Sequence, residues 1–83
     1  MRATVIVRPK PGILDPQGEA VRGSLTKLGF HVGAARVGRV VDLDLVAGDP
    51  ATARAEVERM CAELLTNPLI ESFEIELDEG VGA

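Results

Sequence analysis

Histidine and cysteine, which often serve as a general base and as a nucleophile, each occur once in this sequence. His31 follows a predicted helix end, and Cys61 lies on the apolar side of a predicted helix. Nucleophilic catalysis needs a nucleophile, a base and a group that orients the base. No serine, threonine or cysteine near His31 in the sequence supplies such a pattern. We therefore interpret His31 as a loop residue and Cys61 as a small core side chain, and predict no catalytic residue.

The sequence contains no recognisable motif for binding a metal ion or a phosphate group. A metal site needs several converging ligands, and one His with one Cys is too few. Neither a GxGxxG nor a Walker A motif occurs. Carboxylates alternate with apolar residues on predicted strands and indicate a solvated face, where Arg2 and Arg8 are expected as cross-strand partners. These carboxylates are Asp42, Asp44, Glu74 and Glu76. We predict no metal and no cofactor in this chain.

Four basic residues lie at predicted strand ends and connections, where binding residues are often placed. They are Arg8, Lys10, Arg36 and Arg39. One interpretation is ordinary surface charge. The other is docking to an acidic partner surface or contact with an anion, and the residues alone leave both open.

The bulk properties restrict the class of protein. With 83 residues the chain suits one domain with a thin core, and small cores are often stabilised by oligomerisation. A net charge of -4 and only two aromatic residues argue against nucleic acid as a partner. The start of the chain does not resemble a signal peptide, and no apolar stretch approaches the roughly 20 residues of a membrane span. Because a single cysteine suits a reducing compartment, we expect a cytoplasmic protein without membrane contact.

Periodicity and helix-start signals define the elements that would position these residues. Asp15 and Asp49 each precede a proline, and an aspartate cap with proline at the first helical position predicts a helix start. Residues 34–46 are predicted to be extended, with two short strands favoured over one bent strand. Alternation of apolar and polar residues predicts strands at 3–8, 41–45 and 72–77.

The predicted order is βαββαβ, in a single α+β domain with an antiparallel sheet and two helices on one face. This plan is ferredoxin-like, or belongs to a relative in which strands pair between chains. The ordered core is expected at about residues 2–77, with a frayed tail at residues 78–83. Apolar side chains on the other sheet face suit either harmless exposure or a contact in a homodimer or homotetramer. They are Ile6, Val40 and Val46.

Three stretches carry a resemblance that covers nearly the whole chain, from about Thr4 to Leu77. They are residues 14–18 (LDPQG), 37–39 (VGR) and 65–68 (LTNP). Together they resemble the PurS family, the small subunits of phosphoribosylformylglycinamidine (FGAM) synthase. The family commonly has Lys where Arg39 stands, so a charge is kept while a bidentate contact would differ.

The resemblance implies a PurS-like fold and a role. The chain would be a non-catalytic subunit of an ATP-dependent glutamine amidotransferase complex in de novo purine (IMP) biosynthesis. It would bridge a glutaminase (PurQ), which releases ammonia, and a synthetase (PurL), which holds ATP and Mg, and it would assist ammonia transfer. The candidate contacts with these partners are Arg8, Lys10, Arg36, Arg39, Asn67 and Pro68.

A different class of function stays open beside this one. Domains with the βαββαβ order often form regulatory modules that bind small ligands, and fold alone does not decide between a subunit and such a module. An acylphosphatase-like enzyme would need an anion cradle after the first strand, where Pro9 and Pro11 remove N–H donors. A metallochaperone would need paired cysteines, which the sequence lacks.

Overall fold

A three-stranded antiparallel sheet forms the centre of the fold. The computed structural model of the chain describes residues 1–46 and 48–78. Within them the sheet has the order β2-β1-β3, and its strands are β1 (Arg2–Pro9), β2 (Arg39–Asp44) and β3 (Glu71–Asp78). Val5 lies opposite Val41 on one side and Ile75 on the other. Since alternate residues point to opposite faces, this register creates one apolar inner face and one mixed free face.

Both α-helices begin at the aspartate-proline pairs that the sequence predicts. They are α1 (Pro16–Lys27) and α2 (Pro50–Met60). The Asp15 carboxylate accepts a main-chain N–H of the first turn of α1 at 3.1 Å, and Asp49 does the same for α2 at 2.9 Å. Gly29, with φ at 96°, follows the end of α1 in the left-handed conformation that glycine tolerates. Local capping therefore accounts for where these helices start and where α1 stops.

The hydrophobic core lies between the inner face of the sheet and α2. Its fully buried members are Ala3, Val5, Val7, Ala53, Val57 and Cys61. Partly buried side chains packed against them are Val41, Leu43, Leu45, Leu65, Ile75 and Leu77. The prediction that Cys61 is a core side chain is confirmed, and its burial raises the pKa of the thiol.

Helix α2 continues into a π-helical turn, Cys61–Leu65, which the periodicity of the sequence does not predict. The N–H and the hydroxyl of Thr66 both donate to the Cys61 carbonyl, at 3.1 and 2.9 Å. A π turn holds more residues than an α turn. Leu65 therefore packs against the core while Leu64 is exposed.

Helix α1 extends away from the sheet and does not share its inner face with α2. Gly18 is its only buried residue, while Val21 of the helix and Leu28 just after it are exposed. The radius of gyration is 16.1 Å, against roughly 12 Å for a compact domain of this length. The α+β class with an antiparallel sheet and two helices is confirmed. The placement of α1 differs from the prediction of two helices on one face. The inner face of a three-stranded sheet is narrow, and α2 already covers it.

Residues 34–46 contain one strand, so the preference for two short strands is wrong. Strand β2 pairs with β1 along its length, while residues 34–38 approach it without strand pairing. Gly38 marks this approach, because a Cβ there would collide with the Val7 carbonyl. Within the described residues the order is accordingly βαβαβ, with one strand fewer than predicted.

The predicted tail, residues 78–83, begins at the last residue of β3. Asp78 lies opposite Arg2 in the sheet, so pairing includes this residue. Residues 79–83 lie outside the described part of the chain, and a single domain with a frayed tail stays a prediction.

Candidate interaction site

The six residues predicted as partner contacts lie around one end of the sheet, where β1 ends and its two neighbours begin. Arg8 is the penultimate residue of β1 and Lys10 follows the strand, while Arg36 precedes β2 and Arg39 is its first residue. The remaining two candidates, Asn67 and Pro68, belong to the turn before β3. The fold therefore places residues that are distant in sequence on one side of the molecule.

Arg39 holds the start of β2 to the start of β3. Its Nη1 donates to Glu71 Oε2 at 2.7 Å, and its Nη2 donates to Glu71 Oε1 at 3.0 Å and to the Leu65 carbonyl at 2.6 Å. Glu71 Oε1 also accepts the Asn67 N–H at 2.7 Å. The bonds from Arg39 first, and from Asn67 second, lower the pKa of Glu71, and the same carboxylate raises the pKa of Arg39. Arg39 thus has a structural role that sequence reasoning missed.

The turn before β3 is held by hydrogen bonds at both of its ends. Lys10 Nζ donates to the Pro68 carbonyl at 2.7 Å, and the Lys10 N–H donates to the Ile70 carbonyl at 2.8 Å. Asn67 Oδ1 accepts the Leu69 N–H at 3.2 Å. These contacts fix the shape in which the turn presents its outer side chains.

Asp15 connects the start of α1 to the segment that leads into β2. Its Oδ1 accepts the Gly18 N–H at 3.1 Å, and its Oδ2 accepts the Val37 N–H at 2.9 Å. These hydrogen bonds, that from Val37 most strongly, lower the pKa of Asp15. A Cβ on Gly18 would collide with the Ala35 carbonyl. Two stretches of the family resemblance, 14–18 and 37–39, therefore contact each other in the fold.

A cleft of about 480 Å³ opens beside the end of β1 and the start of β2. We call it the arginine cleft, and its described lining residues are Ile6, Val7, Arg8, Arg36, Gly38, Arg39 and Val40. Arg8 Nη1 donates to Glu74 Oε1 at 3.0 Å. Arg36 takes part in none of the ion pairs among residues 1–46 and 48–78. Three of the six candidate residues thus share one concave surface.

Two of the three apolar candidates for self-association also line the arginine cleft. Ile6 and Val40 lie opposite each other across β1 and β2 on the free face of the sheet. Val40 is 61% exposed. Val46 lies beyond the end of β2 and is fully exposed. Their contact with a second copy stays a prediction.

The other polar residues on the free face pair across strands, as expected. Arg2 Nε donates to Asp44 Oδ1 at 3.5 Å, and the Thr4 hydroxyl donates to Asp42 Oδ1 at 3.1 Å. His31 is exposed in the loop after α1. In the described part of the chain, no three His, Cys, Asp or Glu side chains form a group that could hold a metal ion. None of the described helices has the length and apolar character needed to cross a membrane.

Comparison with known proteins gives the chain a family. The family model described as PurS, phosphoribosylformylglycinamidine (FGAM) synthase, matches residues 2–79. The chain belongs to the PurS family. Its expected fold and family are thereby confirmed.

Relatives and solved structures of the family match over nearly the full length. The phosphoribosylformylglycinamidine synthase subunit PurS of Synechocystis sp. is 39% identical over 80 residues, which is 95% of this chain and 80% of that protein. The crystal structure of Methanocaldococcus jannaschii PurS, one of the subunits of formylglycinamide ribonucleotide amidotransferase in the purine biosynthetic pathway, has a TM-score of 0.83 at 34% identity and covers 94% of this chain and 95% of that one. A chain in the structure of PurLQS from Thermotoga maritima has a TM-score of 0.80 at 30% identity, over 90% of this chain and 94% of that one.

Proposed function

We propose that this chain is the small non-catalytic subunit of FGAM synthase in de novo purine biosynthesis, and that it bridges the glutaminase (PurQ) and the synthetase (PurL). The observation that carries the proposal is the likeness of 90% of the chain to a chain of PurLQS from Thermotoga maritima. In such a complex the synthetase supplies the ATP and Mg site, and this subunit assists the transfer of ammonia from the glutaminase. The cytoplasm is the location that goes with this role.

We assign the partner-facing surface to the end of the sheet that carries the six candidate residues. The turn before β3 is held in shape by Lys10, and it exposes 83% of Leu69. Arginine is enriched at the energetic centres of protein interfaces. Arg36 is a better candidate for direct contact than Arg39, because Arg39 makes three hydrogen bonds within the chain.

Reconstituted turnover tests the proposal. The chain is titrated into a synthetase and a glutaminase of the family, and FGAM formation is followed with glutamine or with ammonium as the nitrogen source. We expect glutamine-fed turnover to require the chain, and ammonium-fed turnover to depend on it less, since external ammonia bypasses the glutaminase. Glutamine-fed turnover that does not change when the chain is added would overturn the proposal.

A matched pair of variants tests the assigned surface. Arg36→Ala and Arg59→Ala each remove one exposed positive charge, and Arg59 lies on α2 with only a 4.0 Å contact to Glu63. An arginine at an interface hot spot is worth roughly 2 kcal/mol. We therefore expect Arg36→Ala to raise the concentration for half-maximal activation at least about tenfold, and Arg59→Ala to leave it unchanged. Identical activation curves would exclude Arg36 as a contact.

Self-association through the free face of the sheet is proposed alongside this role. Val40→Asp replaces the apolar partner of Ile6 with a charged residue. Val46→Asp introduces the same charge at a fully exposed site beyond β2. We expect Val40→Asp to shift the light-scattering mass toward the 8.8 kDa monomer, and Val46→Asp to shift it less. A wild-type chain that is monomeric at micromolar concentration would exclude the self-association.

A further inference from the structure

Strand β3 lies at one edge of the described sheet, with β1 on only one side of it. All eight of its residues pair with β1 in one continuous register, so no bulge interrupts the strand between Glu71 and Asp78. The same eight residues include neither proline nor glycine. A regular edge of this kind presents a row of N–H and C=O groups on the side away from β1, and it can accept a further strand.

The register identifies which main-chain groups of β3 face outward. The Lys10 N–H donates to the Ile70 carbonyl at 2.8 Å, and this pair continues the register of β1 and β3. Hydrogen-bonded and non-hydrogen-bonded pairs alternate along an antiparallel ladder. The main-chain groups of every second residue from Glu71 onward therefore point away from β1. Beyond Glu71 these residues are Phe73, Ile75 and Leu77.

Two further contacts agree with this outward direction. The Glu71 N–H donates to the Asn67 carbonyl at 2.8 Å, away from β1. Arg54, on α2, has its Nη2 at 3.5 Å from the Ile75 carbonyl. Outside the strand ladder, no hydrogen bond among the described residues uses the three outward N–H groups that follow Glu71. The edge therefore offers three donors in a row to an added strand.

The side chains at this edge differ between the two faces of the sheet. On the inner side Phe73 is 38% exposed, while Ile75 and Leu77 are half-buried against the core. On the free face Glu76 and Asp78 are exposed and belong to none of the ion pairs among the described residues. An added strand would thus meet apolar surface at one position and unpaired negative charge at the next.

A second copy of β3 does not suit this edge. When two β3 strands pair antiparallel with both inner faces on one side, even-numbered residues lie opposite even-numbered residues. In the register centred on Ile75, for example, Glu74 of each copy lies opposite Glu76 of the other. Like charges directly opposite each other destabilise a sheet. The acidic edge therefore disfavours its own copy and favours a strand with positive charges at alternate positions.

We infer that the outer edge of β3 binds an extended segment of a partner protein in which Lys or Arg alternates with apolar residues. Strand β1 shows the chemistry that fits, because it places Arg8 against Glu74 and Val7 opposite Phe73 on the other side of β3. Main-chain hydrogen bonds supply the affinity and alternating side chains the specificity. The edge contains none of the residues proposed to contact PurQ, PurL or a second copy, so the inference does not rest on the proposed function.

Titration of the full ¹⁵N-labelled chain with the synthetic peptide acetyl-KVKVKVK-amide tests the inference. We expect saturable shifts of the amide signals of Phe73, Ile75 and Leu77. The edge of β2 should not respond, because Asp42 and Asp44 there already accept hydrogen bonds from other side chains. Shifts confined to β2 would overturn the assignment to β3.

Two control peptides distinguish strand addition from general attraction between opposite charges. The permuted peptide acetyl-KKVVVKK-amide keeps the charge and composition but loses the alternation, and we expect it to bind at least about tenfold more weakly. A KVKVKVK peptide that is N-methylated at its three valines lacks the donors that face β3 in antiparallel pairing, and it should cause no saturable shifts. Equal binding of the permuted peptide, or undiminished binding of the methylated one, would overturn the inference.

Charge variants of the chain locate the peptide on the edge. Glu76→Gln removes a negative charge from β3, and Glu56→Gln removes an equally exposed one from α2. We expect Glu76→Gln to lower the affinity for KVKVKVK about two- to fivefold and Glu56→Gln to leave it unchanged. Glu76→Lys, which opposes a lysine of the peptide, should lower it at least about tenfold. An equal loss in Glu56→Gln, or undiminished binding in Glu76→Lys, would contradict the proposed edge.

Discussion

Arg39 and Glu71 join two strands that are not neighbours in the sheet. Arg39 begins β2 and Glu71 begins β3, while β1 lies between them. The side chain of Glu71 is 17% exposed and that of Arg39 is 50% exposed, so the pair is partly shielded from solvent. This ion pair closes the end of the sheet at which the candidate interface residues lie, and a change in either partner alters the shape of that surface as well as its charge.

Removal of either partner should destabilise the fold. We expect Arg39→Met and Glu71→Gln each to lower the free energy of unfolding by about 1–2 kcal/mol, a range that allows for the half-exposed guanidinium. The double variant should lose less than the sum, with a coupling of about 1 kcal/mol. Urea unfolding of the four proteins measures this cycle, and Arg59→Met serves as a control. Strictly additive losses would show that the two side chains act independently.

Two glycines of α1 should respond in opposite directions to alanine. At Gly18 a Cβ collides with the Ala35 carbonyl, whereas at Gly23 nothing lies within 4 Å of it. We expect Gly18→Ala to destabilise the chain by about 1–3 kcal/mol. Gly23→Ala should instead stabilise it by up to about 1 kcal/mol through helix propensity. Thermal unfolding compares the two, and a stabilising Gly18→Ala would contradict the close approach.

Stability should fall at acidic pH partly through Asp15. Its pKa in the folded chain is lowered from an ordinary value of 3.8, so the folded state binds this proton more weakly than the unfolded state. The stabilisation is therefore fully present above about pH 5 and is lost as the pH falls through the lowered folded value. The pKa of Glu71 is likewise lowered, from an ordinary value of 4.5, so this residue also contributes stability that is lost at acidic pH.

The variant Asp15→Asn isolates this contribution. Its neutral side chain cannot provide two carboxylate oxygens for Gly18 and Val37, so we expect lower stability than the wild type at pH 7. The two stability curves should converge between about pH 5 and pH 2, where wild-type Asp15 becomes protonated. Denaturant unfolding at several pH values measures the difference. Curves that stay parallel would show that Asp15 does not titrate with folding.

His31 and Cys61 should be dispensable for turnover of the reconstituted complex. We expect His31→Ala and Cys61→Ala to leave glutamine-fed turnover largely intact, since one side chain is exposed in a loop and the other lies in the core. Cys61→Ala should lower the free energy of unfolding by about 1 kcal/mol through a small cavity. A specific loss of turnover in well-folded His31→Ala protein would reveal a catalytic role.

Local interactions could be predicted from the sequence, and relations between distant elements could not. Asp15 and Asp49 act on their own neighbours, so the helix starts follow from short motifs. The Arg39–Glu71 pair depends on the strand order, and residues 32 positions apart give no sign of it. The position of α1 depends on how many strands the inner face contains. Gly18 did carry a signal, because a glycine inside a helix indicates either close backbone approach or a weak helix, and the structure shows the first.

The π-helical turn after α2 determines the phase of the helix relative to the sheet. Contacts with the core recur at every fourth residue, at Ala53, Val57, Cys61 and Leu65. A regular α-helix rotates by about 100° per residue, so three steps of four residues would carry the apolar stripe about 120° around the axis. The wider turn absorbs part of that rotation at the last step. Deleting one residue inside this turn would therefore rotate Leu65 away from the core, so the length of this short segment, more than its composition, keeps the last apolar side chain of the helix in contact with the sheet.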